Sequence, residues 1–261
     1  MKKKGAVRSD PASQELLYGV NPLLEALRAG ERIPSEIVVA EGARDERLRE
    51  LIELARTRNV AITRAPRAVI DRAVGNTHHQ GVMARVNAAR YADADDLLSL
   101  VATRIGSEAE PLVVVLDGVE DPRNLGAILR TAECSGVDGV FVPERRAAGL
   151  TDTVSKASAG AVEHVPVARV TNLSRLIEQL KERNVWVVGT VADAPMSYTE
   201  WDWTRPSAVV LGGEGAGLHR LVRENCDVLV SIPVRGKIQS LNVSVAAGIV
   251  LYEALRQRNR T

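Results

Sequence analysis

The sequence predicts an α/β protein in two unequal parts, and three observations carry that prediction. From Pro111 onward, short runs rich in Val, Leu and Ile alternate with segments of helical period, the pattern of a largely parallel sheet covered by helices. Residues 15–88 repeat the alternation on a smaller scale, enough for a compact domain of their own. Between the two, residues 89–110 lose the pattern to an acidic, alanine-rich entry and a Gly106–Glu110 exit, so they are expected to form a linker.

In chain order, residues 1–14 with Lys2, Lys3 and Lys4 are expected to be a disordered basic tail. The smaller part should hold a helix near Pro22–Arg28, a strand Ile37–Ala40, a helix Asp45–Arg58, a strand Val60–Arg64, a helix Ala68–Val74 and a strand Val82–Val86. The second helix has the clearest stripe: Leu48, Leu51, Ile52 and Ala55 share one side, and Arg47, Glu50, Glu53 and Arg56 lie elsewhere. A short amphipathic helix at Leu97–Val101 is expected inside the linker. The larger part, residues 111–261, should contain strands Leu112–Leu116, Val140–Val142, Val185–Val191, Ala208–Leu211 and Val228–Ile232. Helices are expected between them at Leu125–Ser135, Lys156–Val162, Leu173–Arg183 and Leu218–Asn225. A final helix follows Ser240, with Leu241, Val245, Gly248, Tyr252 and Leu255 recurring on one apolar face.

Composition removes several classes of function. Met1–Gln14 has no apolar segment and no 18-residue apolar run occurs, so neither signal peptide nor membrane span is expected and the protein is expected in the cytoplasm. Cys134 and Cys226 match no metal-ligand spacing, and no metal is expected. His78 and His79 read as polar loop groups, with no carboxylate or thiol at ligand spacing beside them. The net charge of +1 gives no global footprint for nucleic acid, so charge for an RNA partner must be local. The lysine tail and Arg123, Arg130, Arg145, Arg146 and Lys156 are the candidates. Aromatic residues make up 3% of the chain, which leaves recognition to backbone, amide and arginine contacts rather than to stacking.

Ligands of parallel sheets bind beyond the carboxyl ends of the strands, so the segments that follow the strands matter most. After the first large-domain strand come Asp121, Pro122 and Asn124, then a helix on which Arg130 falls off the apolar stripe. A guanidinium near a strand's carboxyl end suits a phosphate or an anionic oxygen. After the fourth strand, Gly212, Gly213, Gly215 and Gly217 surround Glu214, and such density lets backbone approach a ligand closely. The spacing is neither a G-x-G-x-x-G fingerprint nor a P-loop. After the fifth strand, Ser240 and Asn242 stand where a helix begins, a position at which Ser240 alone reads as a cap.

Taken together, the segment around Asn124, Gly126 and Arg130, the run LGGEGAGL from Leu211, and SIPVRGKIQSLNVSVAAGIVLYEAL from Ser231 resemble the SpoU branch of the SPOUT RNA 2′-O-ribose methyltransferases. The segments YGVNPLLEALRAG and HHQGVMARV resemble the substrate-binding domain of bacterial 23S rRNA guanosine-2′-O-methyltransferases of that branch. The resemblance implies a trefoil-knotted SPOUT α/β domain over residues 111–261, an RNA substrate-binding domain over residues 15–88, a homodimer, and S-adenosyl-L-methionine as cofactor. It implies cofactor contacts at Thr190, Gly212, Gly213, Ile232 and Leu241, and a catalytic and substrate-orienting set of Asn124, Arg130, Glu214, Ser240 and Asn242. The activity implied is methylation of a ribose 2′-hydroxyl, with a guanosine of 23S rRNA ahead of tRNA as substrate. A non-catalytic RNA-binding ribosome assembly factor is the reading from another class.

Overall fold

The computed structural model describes residues 14–75, 78–215, 217–238 and 240–259, so the expected tail lies outside them except for Gln14. The chain divides into two compact units, the first ending at Ala89 and the second beginning at Arg90.

The first unit runs β1 (Gln14–Tyr18), α1 (Val20–Ala29), β2 (Glu36–Ala40), α2 (Glu46–Thr57), β3 (Ala61–Ala65), α3 (Arg67–Val74) and β4 (Val82–Asn87). Its four-stranded sheet has the order β1-β4-β2-β3. The β2–β3 pair is parallel and joined through α2, whereas β4 lies antiparallel to both β1 and β2. β1 is absent from the sequence expectation, because QELLY adjoins a polar tail and owes its conformation to pairing with β4, from Gln14 opposite Asn87 to Tyr18 opposite Met83. α2 follows its stripe: Leu48, Leu51 and Ala55 are buried with Leu23, Leu27, Ile37 and Val39, and Asp45 caps the helix by accepting the Arg47 backbone N–H. His79 is 1% exposed. Its Nδ1 accepts the Gly81 N–H at 3.0 Å, which leaves Nε2 as the donor to Asp71 at 2.7 Å. It is therefore a buried clamp on the turn before β4, and His78 is the exposed member of the pair.

The second unit runs α4 (Ala94–Arg104), β5 (Leu112–Asp117), α5 (Pro122–Cys134), β6 (Gly139–Pro143), α6 (Asp152–Ala157), β7 (Val167–Val170), α7 (Leu173–Glu182), β8 (Trp186–Thr190), β9 (Met196–Ser197), β10 (Ser207–Gly212), α8 (Arg220–Asn225), β11 (Val228–Ser231) and α9 (Val243–Arg258). The seven-stranded sheet has the order β7-β6-β5-β10-β8-β11-β9, and every pairing in it is parallel. β5 is buried at all its positions, as a central parallel strand should be. Its Val113 and Val115 join Ala208, Val210 and Val187 against α4, α7 and α8, while Leu112, Val114 and Leu116 are buried on the other face. α6 and α9 each pack against α5 in that second layer, with α9 also against β10.

Several sequence expectations are corrected here. The stretch expected as a linker belongs to the second unit from Arg90: Ala92 donates its N–H to Val167 O at 2.8 Å, and the Leu150 N–H donates to the Tyr91 hydroxyl at 3.0 Å. Its helix is longer than Leu97–Val101, is capped by Asp93, and buries Leu97, Leu98 and Val101 in the main core. The helix expected at Lys156–Val162 begins earlier and stops at Ala157, because Ala159 and Gly160 take left-handed backbone and leave only a short 3-10 turn beyond. β7 and β9 were not anticipated; each is four residues or fewer and exists through pairing. On α9, Val243, Ala247, Val250, Leu251 and Ala254 form the buried side. The stripe read from the sequence is the outer one, with Val245 49% and Tyr252 52% exposed. The helix is apolar on two sides, so periodicity alone could not say which side faces the core.

Candidate functional site

The strand order defines the place. β5, β6 and β7 step outward in one direction, after which the chain crosses to β8 and then inserts β10 between β8 and β5. Beyond the carboxyl ends at such a reversal, the loops separate and leave room for a ligand. Gly212 stands opposite Asp117, while Leu211 and Val230 flank Thr190, so the segments that leave β5, β8, β10 and β11 emerge side by side.

Three of these segments are joined by a directional hydrogen-bond chain. Asn242 caps α9: its Oδ1 accepts the Ser244 N–H at 2.8 Å and the Ser244 hydroxyl at 2.6 Å. That engagement turns Nδ2 of Asn242 toward Oδ1 of Asn124, to which it donates at 3.1 Å. Asn124, in the first turn of α5, must then present its own Nδ2 outward, and it donates to Glu214 Oε1 in the glycine-rich segment. Every amide orientation follows from the cap, since reversing one would set donor against donor. The sequence groups these residues by their position after apolar strands and by resemblance; the structure brings Asn124, Glu214 and Asn242 into one network. The cap of α9 is Asn242 rather than Ser240, which lies exposed just before it and has no side-chain hydrogen bond among the described residues.

Two of the glycines at the end of β10, Gly212 and Gly213, are required by close backbone approach. A Cβ on Gly212 would lie 2.1 Å from the Gly217 carbonyl carbon, and one on Gly213 would lie 1.9 Å from the Gly118 oxygen. The segment thus folds back on itself and presses against the turn that leads into α5. A residue that sequence reading passed over holds both its ends. The buried Asp117 accepts the Gly213 N–H through its backbone oxygen at 2.8 Å and the His219 N–H through Oδ2 at 2.7 Å, while its Oδ1 meets His219 Nδ1 at 2.9 Å. The visible signal was an acidic residue ending the apolar run LVVVLD.

Thr190 ends β8, and its Oγ1 is buried with no hydrogen-bond partner among the described residues. An orphaned hydroxyl beside a backbone cradle suits a polar ligand atom. Ile232 follows β11 directly, and Leu241 stands exposed just before the α9 cap. Arg130, like Ser240, is not brought into the network: it is exposed and has no ion pair or side-chain hydrogen bond among the described residues. Six residues along α5 place it about 9 Å farther up the axis and about 120° around from Asn124. No group of three or more metal-ligating side chains occurs among the described residues, and no described helix is long and apolar enough to cross a membrane.

Comparison with known proteins matches residues 111–252 to the model of the SpoU rRNA Methylase family, and residues 16–92 to that of RNA 2′-O ribose methyltransferase substrate binding. The chain is 44% identical over 245 residues to the TrmH family protein YacO of Bacillus subtilis, covering 94% of this chain and 96% of that one. It is 44% identical over 246 residues to the 23S rRNA (guanosine-2′-O-)-methyltransferase RlmB of Escherichia coli K12, covering 94% and 99%. Among solved structures, the SpoU methyltransferase AviRb from Streptomyces viridochromogenes, in complex with the cofactor AdoMet, superposes with a TM-score of 0.77 at 27% identity, covering 96% of this chain and 92% of that one.

Proposed function

The chain belongs to the SpoU rRNA methylase family, and from that premise we propose that it transfers a methyl group from S-adenosyl-L-methionine to the ribose 2′-hydroxyl of a guanosine in 23S rRNA. The observation that carries the reading is the chain of hydrogen bonds from Asn242 through Asn124 to Glu214, set where the strand order reverses. The substrate-binding match over residues 16–92 favours the ribosomal substrate, as does the likeness to RlmB along almost the whole chain.

The residues present fit the cofactor. The orphaned Thr190 hydroxyl, the Gly212–Gly213 backbone, Ile232 and Leu241 would hold it. When bound, it supplies a methyl group on a positively charged sulfur, which leaves as a neutral thioether. A ribose hydroxyl is a weak nucleophile at neutral pH, so this chain's residues have to hold it in line and accommodate the loss of its proton as the O–C bond forms and the S–C bond breaks. The Asn124–Asn242 amides, fixed by the helix cap, orient that hydroxyl. The Arg130 guanidinium fixes the phosphate of the target nucleotide and favours the alkoxide character that develops. Ser240 completes the polar rim of the site.

The reading includes a homodimer and a trefoil knot formed by the passage from β11 to α9. The dimer is supported by α9, whose outer stripe of Val245 and Tyr252 is exposed, as is Leu241 just before its cap. Gly248 lies on that stripe, and an added Cβ there would meet nothing within 4 Å. A mid-helix glycine costs about 1 kcal/mol relative to alanine. Nothing among the described residues of one chain accounts for it, whereas close approach of a second helix does. Gly248→Glu is therefore expected to shift the protein from dimer to monomer in light scattering with its helical circular dichroism retained; a dimer of unchanged affinity would remove α9 from the interface.

The function is tested by tritiated methyl transfer from S-adenosyl-L-methionine onto separate 23S rRNA and tRNA transcripts, followed by nucleoside analysis. The expected product is 2′-O-methylguanosine in 23S rRNA. Label confined to tRNA would reassign the substrate, and cofactor binding without label in any RNA, immature ribosomal particles included, would make the protein a non-catalytic assembly factor.

A further inference from the structure

We infer that the first unit carries a phosphate-binding groove for substrate RNA, formed by Arg44, Arg49, Arg56 and Arg64 where α2 meets the edge strand β3. Two adjoining concavities lie there and share Ile52 and Arg64 in their walls. One is completed by Arg44 and Arg49, the other by Arg56 and Ile62. The inference rests on the RNA-modifying activity proposed above and deepens it by naming a surface that contacts the RNA.

The first argument is charge left uncompensated. All four arginine side chains are exposed, and none has an ion pair or a side-chain hydrogen bond among the described residues. Elsewhere in the unit Arg28 is engaged with Glu25 and Glu50, Arg32 with Glu15, Arg47 with Asn21 and Arg58 with the Arg28 backbone oxygen, while the exposed Arg67, Arg72 and Arg85 line neither concavity. Asp45, the one carboxylate lining the groove, is occupied as the α2 cap on the Arg47 N–H. With a net charge of +1 over the whole chain, four unpaired guanidiniums converging on one groove form a local positive site rather than part of a general basic surface.

The second argument is shape. Arg49 and Arg56 stand two helical turns apart, about 10 Å along α2, and Arg64 rises from β3 alongside them. Ile52 and Ile62 provide an apolar floor on which the arginine stems can lie while their forks reach outward. Arginine forks match phosphate oxygens in paired geometry. β3 is also the outer strand of its sheet, so its free edge offers backbone donors to the same face. Tyr18 is the sole Phe, Tyr or Trp of the segment 14–89, and it is buried, so none of these rings offers a stacking platform on the described surface of this unit. Such a groove recognises the course of an RNA backbone, not its bases.

The experiment uses the full chain and a 23S rRNA transcript in filter binding over a series of KCl concentrations. Arg49→Gln with Arg56→Gln is compared with Arg72→Gln with Arg175→Gln, a pair of exposed arginines outside the groove that changes net charge equally. The groove variant is expected to bind RNA about 10-fold more weakly, and its log–log salt slope should fall by about 1.4–1.8, since each phosphate contact contributes about 0.7–0.9. The control should shift both by far less, and both variants should keep S-adenosyl-L-methionine affinity. Equal behaviour of the two variants overturns the inference and leaves the groove to an acidic protein partner. A wild-type protein that transfers no methyl group yet loses affinity and slope in the groove variant would overturn the enzymatic reading and keep the groove.

Discussion

Gly213→Ala is expected to abolish measurable S-adenosyl-L-methionine binding in titration calorimetry and to lower the melting temperature by about 6–12 °C, the shift for a loss of about 3 kcal/mol in a domain of this size. The added methyl has nowhere to go. Its carbon would sit 1.9 Å from the Gly118 oxygen and 2.6 Å from the Gly118 carbonyl carbon, and these are backbone atoms that cannot rotate aside. Relief requires the turn after β5 or the turn after β10 to move outward. Either movement breaks the Gly213 N–H to Asp117 O hydrogen bond and strains the two bonds from Asp117 to His219, so the segment loses the anchors at both ends. The same movement separates Glu214 from Asn124. Gly215→Ala is the matched control: that glycine has φ +87° but nothing within 4 Å of an added Cβ, so the cost is limited to about 1–2 kcal/mol of left-handed strain. A Gly213→Ala protein with cofactor affinity within threefold of wild type would mean that the cofactor does not use this backbone.

The contrast between those two glycines indicates what the sequence could carry. Their density after an apolar strand was visible, and so was the likelihood of a close approach; which of them meets backbone depends on strand neighbours that no local pattern encodes. β10 lies beside β5 because the chain crosses over after β7, and only that adjacency presses Gly213 against Gly118. Elements with a strong pattern of their own, the apolar stripe of α2 and the unbroken apolar run of β5, were legible because their own residues determine them. β1, β7 and β9 were not, because each is extended chain held by a partner strand. The outer stripe of α9 misled for a related reason: Val245 and Tyr252 repeat as regularly as the buried Val243, Val250 and Ala254, and a helix that serves two surfaces gives two answers. At the site, the residue types were readable, whereas Asp117, which braces the whole glycine segment, looked like an ordinary strand terminus.

Arg130→Ala is expected to lower kcat for RNA methylation by about 10³-fold or more, within the range for loss of a group that assists proton transfer or stabilises the developing charge, with cofactor affinity unchanged within about threefold. Arg130→Lys should restore little, because a point charge cannot reproduce a planar fork on a phosphate. The prediction has a second part that follows from position. Arg130 lies about 120° away from Asn124 around α5 and makes no hydrogen bond or ion pair with the Asn124–Glu214–Asn242 network among the described residues. In a homodimer the guanidinium is then free to serve the network of the other protomer. Mixed dimers decide this, made by co-expressing Arg130→Ala and Asn124→Ala chains under different affinity tags. If the arginine acts across the interface, one of the two sites in the mixed dimer combines an intact Asn124 with an intact Arg130, and methylation returns although each parent is inactive. If it acts within its own chain, both sites lack one group and the mixed dimer stays as inactive as its parents. The expected result is recovery, because a side chain directed away from the polar network of its own subunit gains a catalytic role only where another subunit's network meets it.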